Sequence, residues 1–235
     1  MKNTFLLAAV LASVLGFSNK MNAQTKAATD VHWEVRAGLG AAYASHIAGS
    51  DGLPSWHIGV MGDVGLWDGG KWRLLVGLRY AQKGWDNFGS FDTDPRWDDV
   101  DFETRLHYLN VPVLAAYRLK VGRRVSIVPQ AGPYFGVGIV GKTRAIDYGG
   151  PIDDVYRNHF GKAIDFEGLA YDERGVLLSY PKFHRLDMGV HAGIDVEIKR
   201  FVVGAMAEAS LTTVAGSPLN KTHLFTFGLD LGYRF

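Results

Sequence analysis

Cysteine is absent from the 235 residues, which excludes disulfide bonds, thiolate metal ligands and thiol nucleophiles. Neither sign of charge is in excess, and the formal net charge of +1 gives no basic surface of the kind that binds nucleic acid. Beyond residue 17, no continuous apolar run is long enough for a membrane-spanning helix, which needs about 20 residues. Because 47% of the residues are nevertheless hydrophobic, the apolar content must be distributed in another way.

The amino terminus carries the features of an export signal. Lys2 gives a positively charged start, residues 4–17 are apolar, and Ala23 is a small residue suited to cleavage. This order is typical of a secretory signal peptide, and the apolar run is too short for a membrane anchor. We therefore predict a signal peptide over residues 1–23, a short N-terminal segment over residues 24–30 and a β domain over residues 31–235.

Apolar residues alternate with polar residues and glycine in eight segments of the chain. A period of two indicates β-strands, because successive side chains of a strand point to opposite faces. The final segment is the most regular, with Phe225, Phe227 and Leu229 on one face and Thr226, Gly228 and Asp230 on the other. The segments are residues 31–45, 56–66, 72–80, 105–119, 125–140, 185–199, 201–211 and 221–235.

The links between these segments alternate strictly between tight and long. The tight links are residues 67–71, 120–124 and 199–201; the long links are residues 46–55, 83–104, 141–184 and 212–220. An even number of strands with short periplasmic turns and longer outer loops is typical of bacterial outer-membrane barrels. The pattern predicts an all-β protein, an eight-stranded antiparallel transmembrane β-barrel.

A soluble eight-stranded barrel with its charges outside is the main alternative. Two observations favour the membrane form. Glycines share the charged face, where they leave room for long side chains in a narrow lumen, and large aromatic residues lie near the ends of the apolar stripes, as in interfacial girdles. The predicted interfacial aromatics are Trp33, Trp56, Trp72, Tyr80, Tyr233 and Phe235.

The charged face then becomes the interior of the barrel. An eight-stranded barrel is just wide enough to be filled by side chains, and buried charges need partners. We therefore expect a lumen packed with ion pairs rather than an open channel. The predicted polar network consists of Glu34, Arg36, Asp63, Arg73, Arg79, Arg118, Arg185, Asp187, Asp195, Glu197, Glu208, Asp230 and Arg234.

The last strand ends on Phe235 and resembles the C-terminal signal of bacterial outer-membrane barrels. In that class of protein, the insertion machinery reads this strand. The resemblance implies location in the outer membrane, with outer-membrane lipid and the barrel insertion machinery as partners. We expect a monomer.

Four short strings resemble the outer-membrane β-barrel family of Bacteroidetes, a Gram-negative group, often called PorT-like or the porin family. They are residues 78–84 (LRYAQKG), 108–112 (YLNVP), 131–134 (AGPY) and 183–189 (FHRLDMG). The resemblance implies an eight-stranded outer-membrane barrel. One branch of the family takes part in protein secretion and gliding, but nothing in this chain singles out that branch.

Residues with catalytic or metal-binding chemistry are present without a recognisable arrangement. Five aspartates crowd residues 92–101, but the spacing of an EF-hand calcium loop is absent. Candidate serines and histidines show no nucleophile–base spacing, and several of them would point into the lumen. His191 close to Asp187 and Asp195 is more simply a histidine paired with an acid. We predict no catalytic site, no metal and no cofactor.

The link over residues 141–184 is the longest and is rich in aromatic residues. A loop of this length is usually functional or disordered. Tyr148, Tyr156, Phe160 and Tyr171 are candidate binding residues, and a lid over the barrel mouth is the alternative. We predict a non-enzymatic envelope scaffold or binding protein whose outer loops contact a surface ligand or an envelope protein. The alternatives are a narrow diffusion channel and a lipid-modifying enzyme.

Overall fold

The computed structural model describes residues 30–45, 50–89, 100–147, 150–156, 160, 183–216 and 221–235. Its regular elements in these ranges are all β-strands. No helix in this part of the chain is long and apolar enough to cross a membrane. The predicted signal peptide and the aspartates from Asp92 to Asp99 lie outside the described residues.

The described ranges contain twelve strands, of which eight form the wall of a barrel. The strands are β1 (Val31–Ala44), β2 (Ser50–Trp67), β3 (Trp72–Gly89), β4 (Val100–Tyr117), β5 (Leu119–Lys120), β6 (Val125–Asp147), β7 (Gly150–Tyr156), β8 (Leu186–Ile198), β9 (Phe201–Ser210), β10 (Ala215–Gly216), β11 (Lys221–Thr222) and β12 (Leu224–Arg234).

The sheet closes on itself through antiparallel pairings. The order is β4, β3, β2, β1, β12, β9, β8 and β6, and β6 pairs again with β4. The short β5 follows β4 after Arg118 and also pairs with β6, while β7 folds back on the outer end of β6. The strands β10 and β11 form a small hairpin between β9 and β12. The predicted eight-stranded antiparallel barrel is confirmed.

Tight turns mark one end of the barrel. Asp68, Gly69 and Gly70 all have positive φ in the turn between β2 and β3, a conformation that favours glycine, and Lys199 has a φ of 57° between β8 and β9. The described chain also enters and leaves at this end, where the Phe235 amide donates to the Trp33 carbonyl. Short turns of this kind lie on the periplasmic side of outer-membrane barrels.

Exposure shows which face of the wall meets the surroundings. Glu34 and Asp187 are 0% exposed, whereas Leu39 is 73% exposed and Leu229 is 68% exposed. A soluble barrel would bury its leucines and hydrate its charges. The wall therefore presents an apolar surface outward and a charged surface inward, which is the arrangement of a barrel in lipid.

The outer ends of the strands reach further than the sequence predicts. Residues 50–55, 83–89, 100–104 and 141–147 are strand, although the alternation placed them in loops. Above the membrane neither face of a strand is lipid-exposed, so the period of two is lost while backbone pairing continues. The extra residue Ile139 also bulges from β6 where the β4 partner passes from His107 to Tyr108, which shifts the alternation beyond it.

Candidate functional site: the lumen and the outer mouth

The periplasmic third of the lumen holds an ion-pair cluster of three carboxylates, Glu34, Asp63 and Glu197. One oxygen from each lies within 4.8 Å of the others, a spacing that could hold a metal ion. Arginines supply the positive charge here instead: Arg234 bonds Glu34 Oε1 through Nη2 at 2.6 Å and also bonds Glu197. We call this group, with Arg36, Arg73 and Arg118, the periplasmic cluster.

The remaining arginines complete the periplasmic cluster. Arg73 pairs with Asp63, and Arg118 Nη2 lies 3.1 Å from Asp63 Oδ2 and 2.8 Å from Glu197 Oε1. Each of the three carboxylates thus pairs with at least two guanidinium groups. Such multiple pairing offsets the cost of removing ions from water, a cost that a single buried pair often fails to repay.

Arg36 connects this cluster to the middle of the lumen. Its Nη2 lies 2.7 Å from Glu34 Oε2 and its Nη1 lies 2.8 Å from Asp195 Oδ2. At the same level, His57 Nε2 lies 3.1 Å from Asp230 Oδ1. A cavity between these groups leaves about 20 Å³ for the centre of a water-sized sphere. That space suits about one water molecule.

The outer third of the lumen holds a second ion-pair cluster, centred on Lys83. Its Nζ lies 3.2 Å from Asp187 Oδ2 and 3.2 Å from Glu208 Oε2. Glu208 also pairs with Arg79 and with His191 Nδ1 at 3.0 Å. We call these residues, with Tyr134 and Ser210, the outer cluster.

Hydroxyl groups satisfy the rest of the Asp187 carboxylate. Ser210 Oγ donates to Asp187 Oδ1 at 2.6 Å, and the Tyr134 hydroxyl donates at 3.2 Å. Lys83 Nζ also lies 4.5 Å from the centre of the Tyr134 ring, a cation–π contact. The Ser210 hydroxyl, which a lipid hydrolase would need free, is therefore engaged with a carboxylate.

The four strings that resemble the Bacteroidetes family converge on the outer cluster. They contribute Lys83, Tyr108, Tyr134 and Asp187, and Lys83 Nζ lies 5.8 Å from the centre of the Tyr108 ring. The strings come from β3, β4, β6 and β8, which are distant in sequence. They therefore encode one buried packing unit rather than a surface site.

Two residues lie elsewhere than the sequence predicted. The sequence pattern assigned Lys83 to a loop. Lys83 is four residues after Arg79 and therefore falls on the same, lumen-facing side of the strand. This spacing is the signal that could have predicted its position. Arg185 is wrong as a member of the lumen network: it precedes β8, is exposed, and its Nε donates to the Phe160 carbonyl at 2.8 Å. Its position before the first lumen-facing residue of β8 explains the difference.

Apolar side chains close the outer mouth of the barrel. Phe160, from the long link, is only 3% exposed and packs edge-on against Tyr108 with ring centres 5.7 Å apart. The buried residues that we call the mouth cluster are Trp85, Leu106, Tyr108, Phe160, Phe183, Val214 and Leu224. Of the four candidate binding aromatics, Phe160 thus points into the mouth, as a residue of a lid would. Tyr156 is the last residue of β7, and Tyr148 and Tyr171 lie outside the described residues.

The predicted interfacial aromatics lie at two levels on the outer wall. Trp33, Trp72 and Phe235 are exposed near the periplasmic turns, where Tyr233 packs edge-on against Phe235. On the opposite side, Trp56 and Tyr80 pack together with ring centres 5.5 Å apart. The Tyr80 hydroxyl lies 2.9 Å from His107 Nδ1, and the Trp56 indole donates to Gln82 Oε1 at 2.8 Å. These aromatics stand about where the lipid headgroups begin.

Solved structures of three small barrels are similar in fold. They are the attachment invasion locus protein Ail of Yersinia pestis (13% identity, 88% of this chain and 99% of that chain, TM-score 0.40), Neisserial surface protein A (11%, 86% and 97%, TM-score 0.43) and the N-terminal barrel domain of Pseudomonas aeruginosa OprF (11%, 85% and 97%, TM-score 0.32). No curated protein sequence matches the chain.

A family match covers most of the sequence. Residues 22–216 match the family described as outer membrane protein beta-barrel domain. The match includes the strands that supply most of both ion-pair clusters. Together with the outward apolar wall and the inward charges, it establishes the location of the protein in the cell outer membrane. The chain therefore belongs to the outer membrane protein beta-barrel domain family.

Proposed function

We propose that this protein is a closed, non-enzymatic barrel that acts by binding at its outer surface. The observation that carries the proposal is the filling of the lumen from end to end. The periplasmic cluster, the Arg36 bridge, the outer cluster and the mouth cluster follow one another along the barrel axis. A solute would have to break several of these groups to pass.

The energetic cost of opening the lumen supports this proposal. Removing one partner from a buried ion pair typically costs about 3–5 kcal/mol, and a path through the lumen would part several pairs. An apolar cluster of Met61, Leu75, Leu114, Ala116 and Val128 fills a further part of the interior. The narrow diffusion channel, our alternative, would need these groups to move together.

The extended strands on the outer side support a role in binding. Beyond the level of His107, β6 continues from Val140 to Asp147 and pairs with β4 and β7. At about 3.3 Å per residue, this sheet rises roughly 20 Å above the outer aromatics. A rigid sheet outside the membrane presents its loops to a surface ligand or an envelope protein without any pore.

We also propose membership in the PorT-like group of Bacteroidetes proteins. The four strings that carry the resemblance meet at Lys83, as a shared packing unit should. Because this unit is buried, it accounts for a common barrel and leaves the outer loops free to differ in what they bind.

Single-channel conductance of the mature, refolded protein in planar bilayers tests the proposed function. We expect no steady conductance, although insertion is verified in parallel by the faster electrophoretic migration of the unboiled, folded barrel. Steady, ion-selective conductance by inserted protein would overturn the proposal and favour the channel. Hydrolysis of phospholipid in the same vesicles, lost in Ser210→Ala, would instead favour the lipid-modifying enzyme.

A further inference from the structure

Two cations lie side by side on the outward-facing surface of the barrel, just above the outer aromatics. Arg105 in β4 and Lys142 in β6 are directly opposite each other in the antiparallel pairing. Their neighbours Leu106 and Thr143 are 0% exposed on the lumen side. Since side chains alternate across a strand, Arg105 and Lys142 point away from the lumen.

The direct pairing of these two residues is unfavourable on its own. Like charges directly opposite each other on neighbouring strands destabilise a sheet. Both cations act electrostatically on the His107 imidazole below them, and Arg144 follows as an exposed residue above Lys142. The wall thus carries two adjacent positive charges, with a third two residues further out on β6.

Carboxylates on the same wall do not neutralise both cations. Glu103 accepts hydrogen bonds from Arg105 Nε at 2.6 Å and from Arg105 Nη2. The N–H groups of Arg105 Nη1 are not used in this ion pair and can donate to another acceptor. Asp86 lies opposite Glu103 on β3, and Asp154 lies opposite Arg144 on β7. Among the residues whose side chains the structure describes, no carboxylate pairs with Lys142.

The height of the pair on the wall identifies its surroundings. Tyr80, one of the outer aromatics, places its hydroxyl 2.9 Å from His107 Nδ1, and Arg105 is two residues further out than His107 on β4. Two residues of strand span about 7 Å. Because Trp and Tyr side chains sit at the membrane–water interface, the two cations stand at the level of the lipid headgroups.

We propose that Arg105 and Lys142 form a binding site for the phosphate group of a phosphorylated glycolipid in the outer leaflet. Arginine offers two parallel donors to a phosphate and lysine adds a point charge. The Tyr80 ring, which contacts His107 below Arg105, suits the start of the acyl chains. This site adds a lipid partner to the proposed function without depending on it, because it lies on the wall rather than on the outer loops.

Binding of diphosphorylated lipid A tests the proposal. The full mature chain is refolded in phosphatidylcholine vesicles, and labelled lipid A is titrated in. We expect Arg105→Gln with Lys142→Gln to weaken binding about tenfold or more, as the loss of charge-assisted hydrogen bonds predicts. Lys142→Gln alone breaks no ion pair among the described residues, and it should weaken binding several-fold with unchanged folding.

A matched control removes the same charge at the opposite end of the barrel. Arg123 and Arg124 are exposed in the turn before β6, and Arg123→Gln with Arg124→Gln should bind lipid A as the wild type does. Equal binding by wild type and Lys142→Gln would overturn the proposal. Equal binding of dephosphorylated lipid A would also overturn it, and so would full displacement by millimolar inorganic phosphate, which would show a site for the free anion.

Discussion

Arg234 binds Glu34 across 200 positions of sequence, with Nε 2.9 Å and Nη2 2.6 Å from the same carboxylate oxygen. The two residues are also opposite each other in the pairing of β1 with β12. Their ion pair therefore lies inside the seam that closes the barrel. Because Arg234 also bonds Glu197, the seam is tied to the neighbouring part of the wall.

Replacing Glu34 should destabilise the folded barrel. Glu34→Leu leaves Arg36 and Arg234 without a shared partner in a dry interior, and we expect a loss of about 3–5 kcal/mol in the free energy of unfolding. Urea titration in vesicles, followed by electrophoretic migration of unboiled samples, measures the change. Asp68→Asn is the control: it breaks an exposed pair with Lys71 that is worth about 0–1 kcal/mol. Equal midpoints for both variants would show that the seam pair contributes little.

The outer cluster offers a second test with an internal rescue. Glu208→Leu leaves Arg79 and Lys83 with too few partners, and we again expect a loss of about 3–5 kcal/mol. Adding Lys83→Met removes one of the stranded charges and should recover part of the loss. If the double variant is no more stable than Glu208→Leu, Lys83 does not depend on Glu208.

The position of Phe160 can be tested by a substitution in the barrel wall, without changing the long link itself. A Cβ at Gly138 would overlap the Phe160 ring at Cζ, so Gly138→Ala should displace the ring from the mouth. We expect faster protease cleavage within residues 157–182 in intact vesicles. Nothing lies within 4 Å of a Cβ at Gly122, and Gly122→Ala should be cleaved at the wild-type rate. Identical cleavage of both variants would mean that Phe160 does not hold the link down.

Shortening the long link tests whether the barrel is closed by that link or by the ion pairs in its lumen. Replacement of residues 161–182 by a short Gly-Ser linker leaves the pairing of β6 with β8 untouched. We expect the variant to fold and to remain non-conducting, because the ion-pair clusters still fill the barrel. Conductance that appears only in the shortened protein would assign closure to the link, and failure to fold would make the link structural.

The strands within the membrane could be predicted from sequence because lipid imposes a strict alternation. Glu34 and Leu39 differ in exposure as their positions in that alternation require. The prediction was wrong where that constraint ends. Lys83 lies in a strand that continues past the interface, and Ile139 bulges from β6 and shifts its period, a change that requires knowledge of the partner strand.

The arrangement of the clusters could be inferred only in part. Alternation assigns a side chain to the lumen, but it does not say at which height two strands meet. The contact of Lys83 with Asp187 depends on the registers of the three pairings that connect β3 to β8 through β4 and β6. Arg185 was misplaced for the opposite reason. It continues the charged alternation of β8, but it precedes Leu186, the first paired residue of that strand.

The seam between β1 and β12 has a consequence for how the protein is made. Until β12 has been exported, β1 has only β2 beside it, and an incomplete sheet presents unpaired edges that invite aggregation. Contacts between residues so distant in sequence also form slowly. The barrel therefore cannot close until its final strand is in place, and the early strands keep unpaired edges until then.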